Sequence, residues 1–502
     1  MFALLGPAAT PATKHPRYGG TLRMELSAAS VSLDPRTWKA GSVAAAESLK
    51  FAALVYDRLV TLDEYGRFQP DLALEWSHDA GFKTWQFKLR PGVKFTDGVP
   101  LTPKEVVSAL QPLLPSGLQI SPIEGGVQIR ATNPAADLLE QLSSGRYFIF
   151  RARPDNSFAG TGPYQLVESL LPAPAEANPS VLKPGRLKFR AREEAWSGRP
   201  FVDTIEVILG NPPLREVLDL QVGRVDVIDI PPDLVRKARQ ENLRVWSSFP
   251  DTLLALRWDD AQSAASDPHF REALDLSLDR DTMANVLLQR QALPASALLP
   301  QWLSGYAFLF GSSMNLDRAK ALRAAVPANV PGGAEPVRLR VDAPGDLMKL
   351  LGERVAVNAR QANISIQLVP HIPSSGTNAP GSASVGLHLF AWHYDSLSPR
   401  VELHALAQQM HADTTAKPEP GDELTNPERL YAEEHRLLDE REVLPLLLIP
   451  EYVGIAPNVR NWSADPSGAW RLGDVWLEVS ESATSGPEEA PKSRATPPGG
   501  HP

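Results

Sequence analysis

Thr84-Trp85-Gln86-Phe87-Lys88-Leu89 runs into Arg90-Pro91-Gly92-Val93-Lys94-Phe95-Thr96-Asp97-Gly98, and then, past Val99 and Pro100, into Leu101-Thr102-Pro103-Lys104-Glu105-Val106. In the first six residues polar and apolar side chains alternate, as in a strand with one buried face. Pro91 and Gly92 sit at the centre of a four-residue reversal, where proline fixes φ and glycine supplies the positive φ of a type II turn. Val93 and Phe95 resume the alternation and Asp97-Gly98 closes it, so the spacing predicts a hairpin over 84–98. Thr102 is placed to cap a helix, with Pro103 at its first position and Glu105 three residues after the cap. That helix is expected to run toward Leu110.

The same patterning extends in both directions. Gly19 to Leu26 reads as a half-buried strand, and Ala44 to Tyr56 carries apolar groups at helical spacing. Phe201–Leu209, Leu214–Gln221 and Val225–Ile230 read as strand, helix and strand, a crossover unit of an α/β domain. Leu253–Trp258 is a buried type of strand, and Asp267-Pro268 begins a helix followed by another from about Asp281. Further on, 317–325 and 427–440 read as helices and 337–341, 364–369 and 387–392 as strands. Leu444 to Ile449 reads as a late strand interrupted by Pro445 and stopped by Pro450. Residues 1–17 are expected to be leader or linker, 371–384 a loop, and the Ser/Glu/Pro/Gly-rich tail from about 478 disordered.

Composition narrows the function. With 502 residues, 43% apolar and 22% charged, the chain can build two or three packed domains. Fifty basic against 59 acidic residues leave a net charge of -9, which opposes nucleic acid and anionic membranes. The absence of cysteine excludes disulfides, thiolate metal sites and cysteine nucleophiles together. No apolar run reaches the roughly 20 residues of a membrane span. Met1 to Ala9 looks like the end of an export signal that lacks its basic head.

Enzyme constellations are missing: there is no dinucleotide or phosphate loop, no His-Glu-x-x-His and no nucleophile elbow. His388, His393 and His404 fall near one another without metal-ligand spacing, so no metal and no cofactor is expected.

The 75–106 segment resembles a signature of the solute-binding proteins of oligopeptide, dipeptide and nickel ABC importers, the extracytoplasmic family 5. Further segments are similar to that family in the same order: Gly160-Thr161-Gly162-Pro163-Tyr164, Leu220 to Asp226, Asp267 to Arg280, and Leu389 to Pro399. The resemblance covers roughly residues 18–477. It implies an α/β fold of the periplasmic-binding-protein type II kind, with two lobes joined by hinge strands and a smaller extra domain. Lobe I is expected from 18–34, 160–258 and 451–477, the extra domain from 35–159, and lobe II from 259–450. The implied function is a non-enzymatic receptor, monomeric and periplasmic or otherwise extracytoplasmic. It would capture a small peptide or similar solute between its lobes and deliver it to an ABC permease complex, without binding nucleic acid.

Carried over from the family, Asp395 is the candidate anchor for a ligand ammonium and Trp392 a wall of the cleft. Trp258, Tyr394 and Ser27 are further ligand-contact candidates, and Tyr18 a weaker one. The plain structural alternative is that Asp395 caps a turn and Trp392 is core. The loop Ala391-Trp392-His393-Tyr394-Asp395-Ser396-Leu397-Ser398-Pro399 departs from the family in lacking its first glycine and second aspartate. The stretch from Leu110 to Gly160 is short for the extra domain, and no lipid-anchor cysteine is present. Three rivals share these residues: a nickel- or metallophore-binding member, a regulatory protein on the same fold, and a hydrolase.

Overall fold

The computed structural model describes residues 15–28, 31–154, 157–171, 184–259, 267–311, 313–326, 335–342, 345–369, 386–410 and 426–478. Most of the expected leader, the 371–384 loop and the tail from 479 lie outside them.

An 11-stranded mixed sheet runs through the molecule. One half is built on strand Thr21–Leu26, which pairs in parallel with Thr204–Leu209 on one side and Val227–Asp229 on the other. Helix Pro213–Gln221 links those two neighbours, giving the expected crossover. The other half is built on Leu387–His393, which pairs in parallel with Val337–Val341.

Two long antiparallel strands join the halves: Arg244–Trp258, of 15 residues, and Val443–Ile455, of 13. Their outer ends pair from Arg244↔Ile455 to Ser247↔Tyr452 and from Thr252↔Ile449 to Arg257↔Val443. Between those stretches Pro250 faces Pro450 and the register shifts on both sides. Proline has no N–H to give the ladder, so the pairing is weakest where the chains pass between lobes. The late strand is therefore not stopped by Pro450 as its sequence suggests; the sheet absorbs both prolines at irregularities.

Four apolar cores accompany this sheet. The first-lobe core holds Leu22, Met24, Ile205, Val207 and Val453. The second lobe has one core on each face of its sheet, one around Leu256, Phe270 and Leu389 and the other around Leu253, Trp392 and Tyr394. The fourth fills the small domain around the sheet Ala73–His78, Thr84–Leu89, Gly126–Ala131 and Leu118–Ile123. Packing assigns helix Val43–Val55 to the first lobe, since Leu49, Phe51 and Leu54 lie in its core, whereas the small domain's core begins at Leu59.

The 84–98 segment forms its turns but not its hairpin. Gly92 and Gly98 both take positive φ, 77° and 83°. Thr84–Leu89 pairs instead with Ala73–His78 and Gly126–Ala131. Arg90 N–H is drawn to the Leu72 carbonyl at 2.9 Å, and Val93 and Phe95 turn inward, each 2% exposed. The following helix, Pro103–Leu110, has its cap as expected, Thr102 Oγ1 accepting from Glu105 N–H at 3.3 Å. Gly160 is required by space rather than by backbone angle: a Cβ there would stand 1.9 Å from the Val55 carbonyl oxygen.

Candidate functional site

The proline crossing lies beside a cavity of about 160 Å³. Its charged lining comes from five elements: Glu47 and Lys50 from helix Val43–Val55, Asp229 from the end of a first-lobe strand, Asp251 and Glu451 from the two long strands, and His393 from the end of a second-lobe strand.

Lys50 is 4% exposed, and its ammonium donates to both Glu47 oxygens at 2.8 and 2.9 Å. It also stands 2.6 Å from Glu451 Oε1 and 4.8 Å above the Trp470 ring. Burial opposes its charge, but Glu451, Glu47 and Asp229 together hold its pKa above the ordinary value. Asp229 accepts from Ser27 N–H at 2.9 Å and from the Ser27 hydroxyl at 2.6 Å. Asp251 accepts from the hydroxyls of Ser248 and Thr252 at 2.8 and 3.0 Å. Burial raises the pKa of Asp251, and burial raises that of Glu47, with Lys50 opposing. Behind Asp229, the fully buried Glu216 is pushed up to about 11 by burial and then by the Asp229 charge. It is protonated at neutral pH.

His393 is 6% exposed, and its Nε2 has no hydrogen-bond partner among the described residues. Its Nδ1 lies 3.4 Å from Thr252 Oγ1 and 3.8 Å from Asp251 Oδ1. The Thr252 hydroxyl proton is committed to Asp251, so both neighbours are acceptors and Nδ1 carries the ring proton. With the ring proton on Nδ1, Nε2 is left as an unused acceptor.

The residues expected from the sequence are dispersed. Ser27 touches the cavity's charged lining through its side chain, at Asp229, and Tyr394 through its backbone, its N–H donating to the Asp251 carbonyl at 2.9 Å. Trp258 is 4% exposed in a second-lobe core, its indole N–H held by the Arg441 carbonyl at 3.0 Å. Tyr394 is fully buried and donates to the Leu298 carbonyl. Tyr18 is 62% exposed, stacked on Phe201 at the other end of the first strand. Trp392 is 1% exposed and packs on Gly41, where a Cβ would come within 2.1 Å of the ring. Its wall role is corrected to a core role, because the indole is enclosed and its N–H is taken by Glu402 at 2.9 Å.

Asp395 does not line the cavity. Its backbone N–H donates to Glu402 Oε1 at 3.1 Å, and the Ser396 N–H donates there at 2.7 Å. Burial raises the Asp395 pKa, and the charge of Arg146 in the small domain is the largest opposing influence. Close by, Asp137 of the small domain takes Arg400 Nη2 at 2.8 Å and the Ser398 hydroxyl at 2.6 Å. His388 and His404 do not join His393: the first pairs with Asp342 at 2.9 Å and the second with Gln408 at 2.8 Å. Among the described residues no group of three His, Cys, Asp or Glu side chains is arranged to hold a metal.

The family model "Bacterial extracellular solute-binding proteins, family 5 Middle" matches residues 67–411. The chain belongs to this family. A nickel-binding periplasmic protein of Escherichia coli (strain K12) is 24% identical over 392 residues, 73% of this chain and 75% of that protein. The periplasmic oligopeptide-binding protein OppA of Haemophilus influenzae is 22% identical over 280 residues, 49% of this chain and about half of OppA, 51%. Among solved structures, DppA from Helicobacter pylori in complex with the peptide STSA has the same fold. It superposes with a TM-score of 0.76 at 17% identity, covering 92% of this chain and 99% of that one. Family 5 proteins are substrate-binding receptors of ABC transporters rather than enzymes, which imply a solute ligand and a permease partner.

Three signals in the sequence could have found the cavity. Glu47 and Lys50 are the charged residues of an otherwise apolar 13-residue helix. Glu451 is the one charge in a 13-residue apolar strand, directly after Pro450. Asp251 follows Pro250 in the partner strand.

Proposed function

We propose that this family 5 protein is an extracytoplasmic receptor that traps a peptide-type solute between its two lobes and presents the closed form to an ABC permease. The observation that carries this is the charged cavity lined by both lobes beside the proline crossing. Closing over a ligand needs two rigid bodies, a weak joint between them, and groups from both that gain a partner on closure. The separate cores, the facing prolines and the cavity lining supply these in turn. Capture and release require no reacting side chain, and the receptor proposed here is a monomer that works without turnover and without nucleic acid.

Isothermal titration of the purified protein with tripeptides tests this reading, with nickel–histidine as the competing ligand. Saturable peptide heat together with a smaller radius of gyration in solution scattering is expected. Nickel–histidine binding with no peptide binding would instead favour a metal-chelate receptor, as the nickel-binding relative suggests.

A further inference from the structure

The sequence resemblance puts the ligand's positive group at Asp395, yet that residue does not line the cavity. Glu402 ties down the backbone of its loop, and the Arg146 charge is the largest influence opposing the rise of its pKa. The cavity at the crossing has the opposite character. Glu47, Asp229, Asp251 and Glu451 line it, and the one cation among the lining residues is Lys50. Lys50 is engaged by Glu47 and Glu451, which leaves Asp229 with a hydroxyl and an amide and Asp251 with two hydroxyls and the His393 ring at 3.8 Å, neither meeting a Lys or Arg in direct contact among the described residues. A buried carboxylate without a counter-charge is costly, and both hydroxyl hydrogen bonds and burial have already been applied at Asp251.

A second, independent observation points the same way. His393 is more than nine-tenths buried and lines this cavity, and its Nε2 meets no donor among the described residues. A Cβ on Gly468, another lining residue, would crowd that nitrogen at 3.1 Å, so glycine keeps its approach open. Beside a carboxylate, an imidazole acceptor calls for a group with several N–H donors and positive charge. Primary ammonium has three such donors and no acceptor.

Size sets the rest. A cavity of about 160 Å³ is close to one that admits benzene, a molecule of about six heavy atoms. Val43, Ala46, Ile230 and Pro231 give it an apolar share of wall suited to methylenes.

We propose that this cavity is a specificity subsite for a primary ammonium on a short alkyl chain, seated between Asp251 and His393 Nε2 with Asp229 on the first-lobe side. Such a group reaches the site as a lysine-type side chain of a peptide or as a free alkylamine. The inference rests on the reading of the crevice as the solute site, and it assigns the charge-reading role to residues of the crossing instead of Asp395.

The test is titration of the full chain with Ala-Lys-Ala, its neutral isostere Ala-norleucine-Ala, 1,4-diaminobutane and 1-butanol. At least one ammonium probe is expected to bind about tenfold or more tighter than its neutral counterpart. Whether the peptide or the diamine does so identifies the source of the group. Asp251→Asn is expected to remove that preference, whereas Asp395→Asn changes it less than about threefold. Should D251N fail to fold by circular dichroism, His393→Gln provides the same readout. Equal binding of charged and neutral probes, or loss of preference in D395N and not in D251N, overturns the subsite while leaving the receptor reading in place. No binding by any of these probes, by other tripeptides or by nickel–histidine overturns both.

Discussion

Two of the contacts between the second lobe and the rest of the molecule are built differently. At the small domain, Asp137 receives a two-toothed grip from Arg400 at 2.8–3.1 Å and a hydroxyl from Ser398, and charge and donors are matched. At the crossing, carboxylates outnumber cations, a histidine nitrogen is unmatched, and about 160 Å³ is left empty of protein atoms. A matched contact gains nothing from a newcomer. An unmatched one gains a partner for every group it lacks, and a ligand that supplies those partners stabilises the closed form by mass action. The first contact is thus a latch and the second a seat.

Substitutions can break or sharpen that distinction. The largest effect is expected from Lys50→Met, which leaves Glu47 and Glu451 buried without their counter-charge; chemical denaturation should show a loss of about 3–5 kcal/mol. Gly41→Ala pushes a Cβ into Trp392 at a residue with φ of 67°. Overpacking of this kind costs about 1–3 kcal/mol, and because Gly41 and Trp392 come from different lobes it should also enlarge the radius of gyration in scattering. Arg400→Ala removes the latch's guanidinium, which is 31% exposed, so a loss of about 1–2 kcal/mol in thermal or denaturant melts is expected, with ligand preference intact.

An effect of opposite sign belongs to Glu216→Gln. The Glu216 carboxyl has a pKa raised to about 11 from an ordinary 4.5. The unfolded chain therefore loses this proton from about pH 4.5 upward while the folded chain keeps it, and stability falls as pH rises across that window. Glutamine cannot ionise in either state. The variant should match the wild type near pH 4 and be more stable than it at pH 8, with the difference growing as pH rises.

Much of the fold was legible because local chemistry and tertiary outcome agree. The Thr102 cap, the strand–helix–strand unit around Pro213–Gln221 and the Asp267 cap all form where their residues indicate. The hairpin over 84–98 misled because a turn signal fixes a reversal, not the partner of the strand that precedes it. Thr84–Leu89 found two other strands, and only the small domain's core determines that choice. Pro445 and Pro450 misled in the other direction, since a proline ends an isolated strand but not one whose partner is irregular at the same level.

The candidate site was harder to read. Trp392 carries the family resemblance and Tyr394 lies beside it, but whether an aromatic faces a cleft or a core depends on what packs above it, here Gly41 and Leu298, both far away in the chain. The charges of the cavity come from segments centred near residues 48, 229, 251, 393 and 451, and no spacing rule links them. What the sequence does display is some of them singly: Glu451 and Asp251 directly after a hinge proline, and Glu47 and Lys50 within a mostly apolar helix.

The most direct measurement is a crystal structure of the full chain grown with Ala-Lys-Ala. The account predicts closed lobes with the lysine ammonium within about 3.2 Å of Asp251 and His393 Nε2. A peptide whose positive groups all lie at Asp395, or outside the crossing altogether, would contradict it.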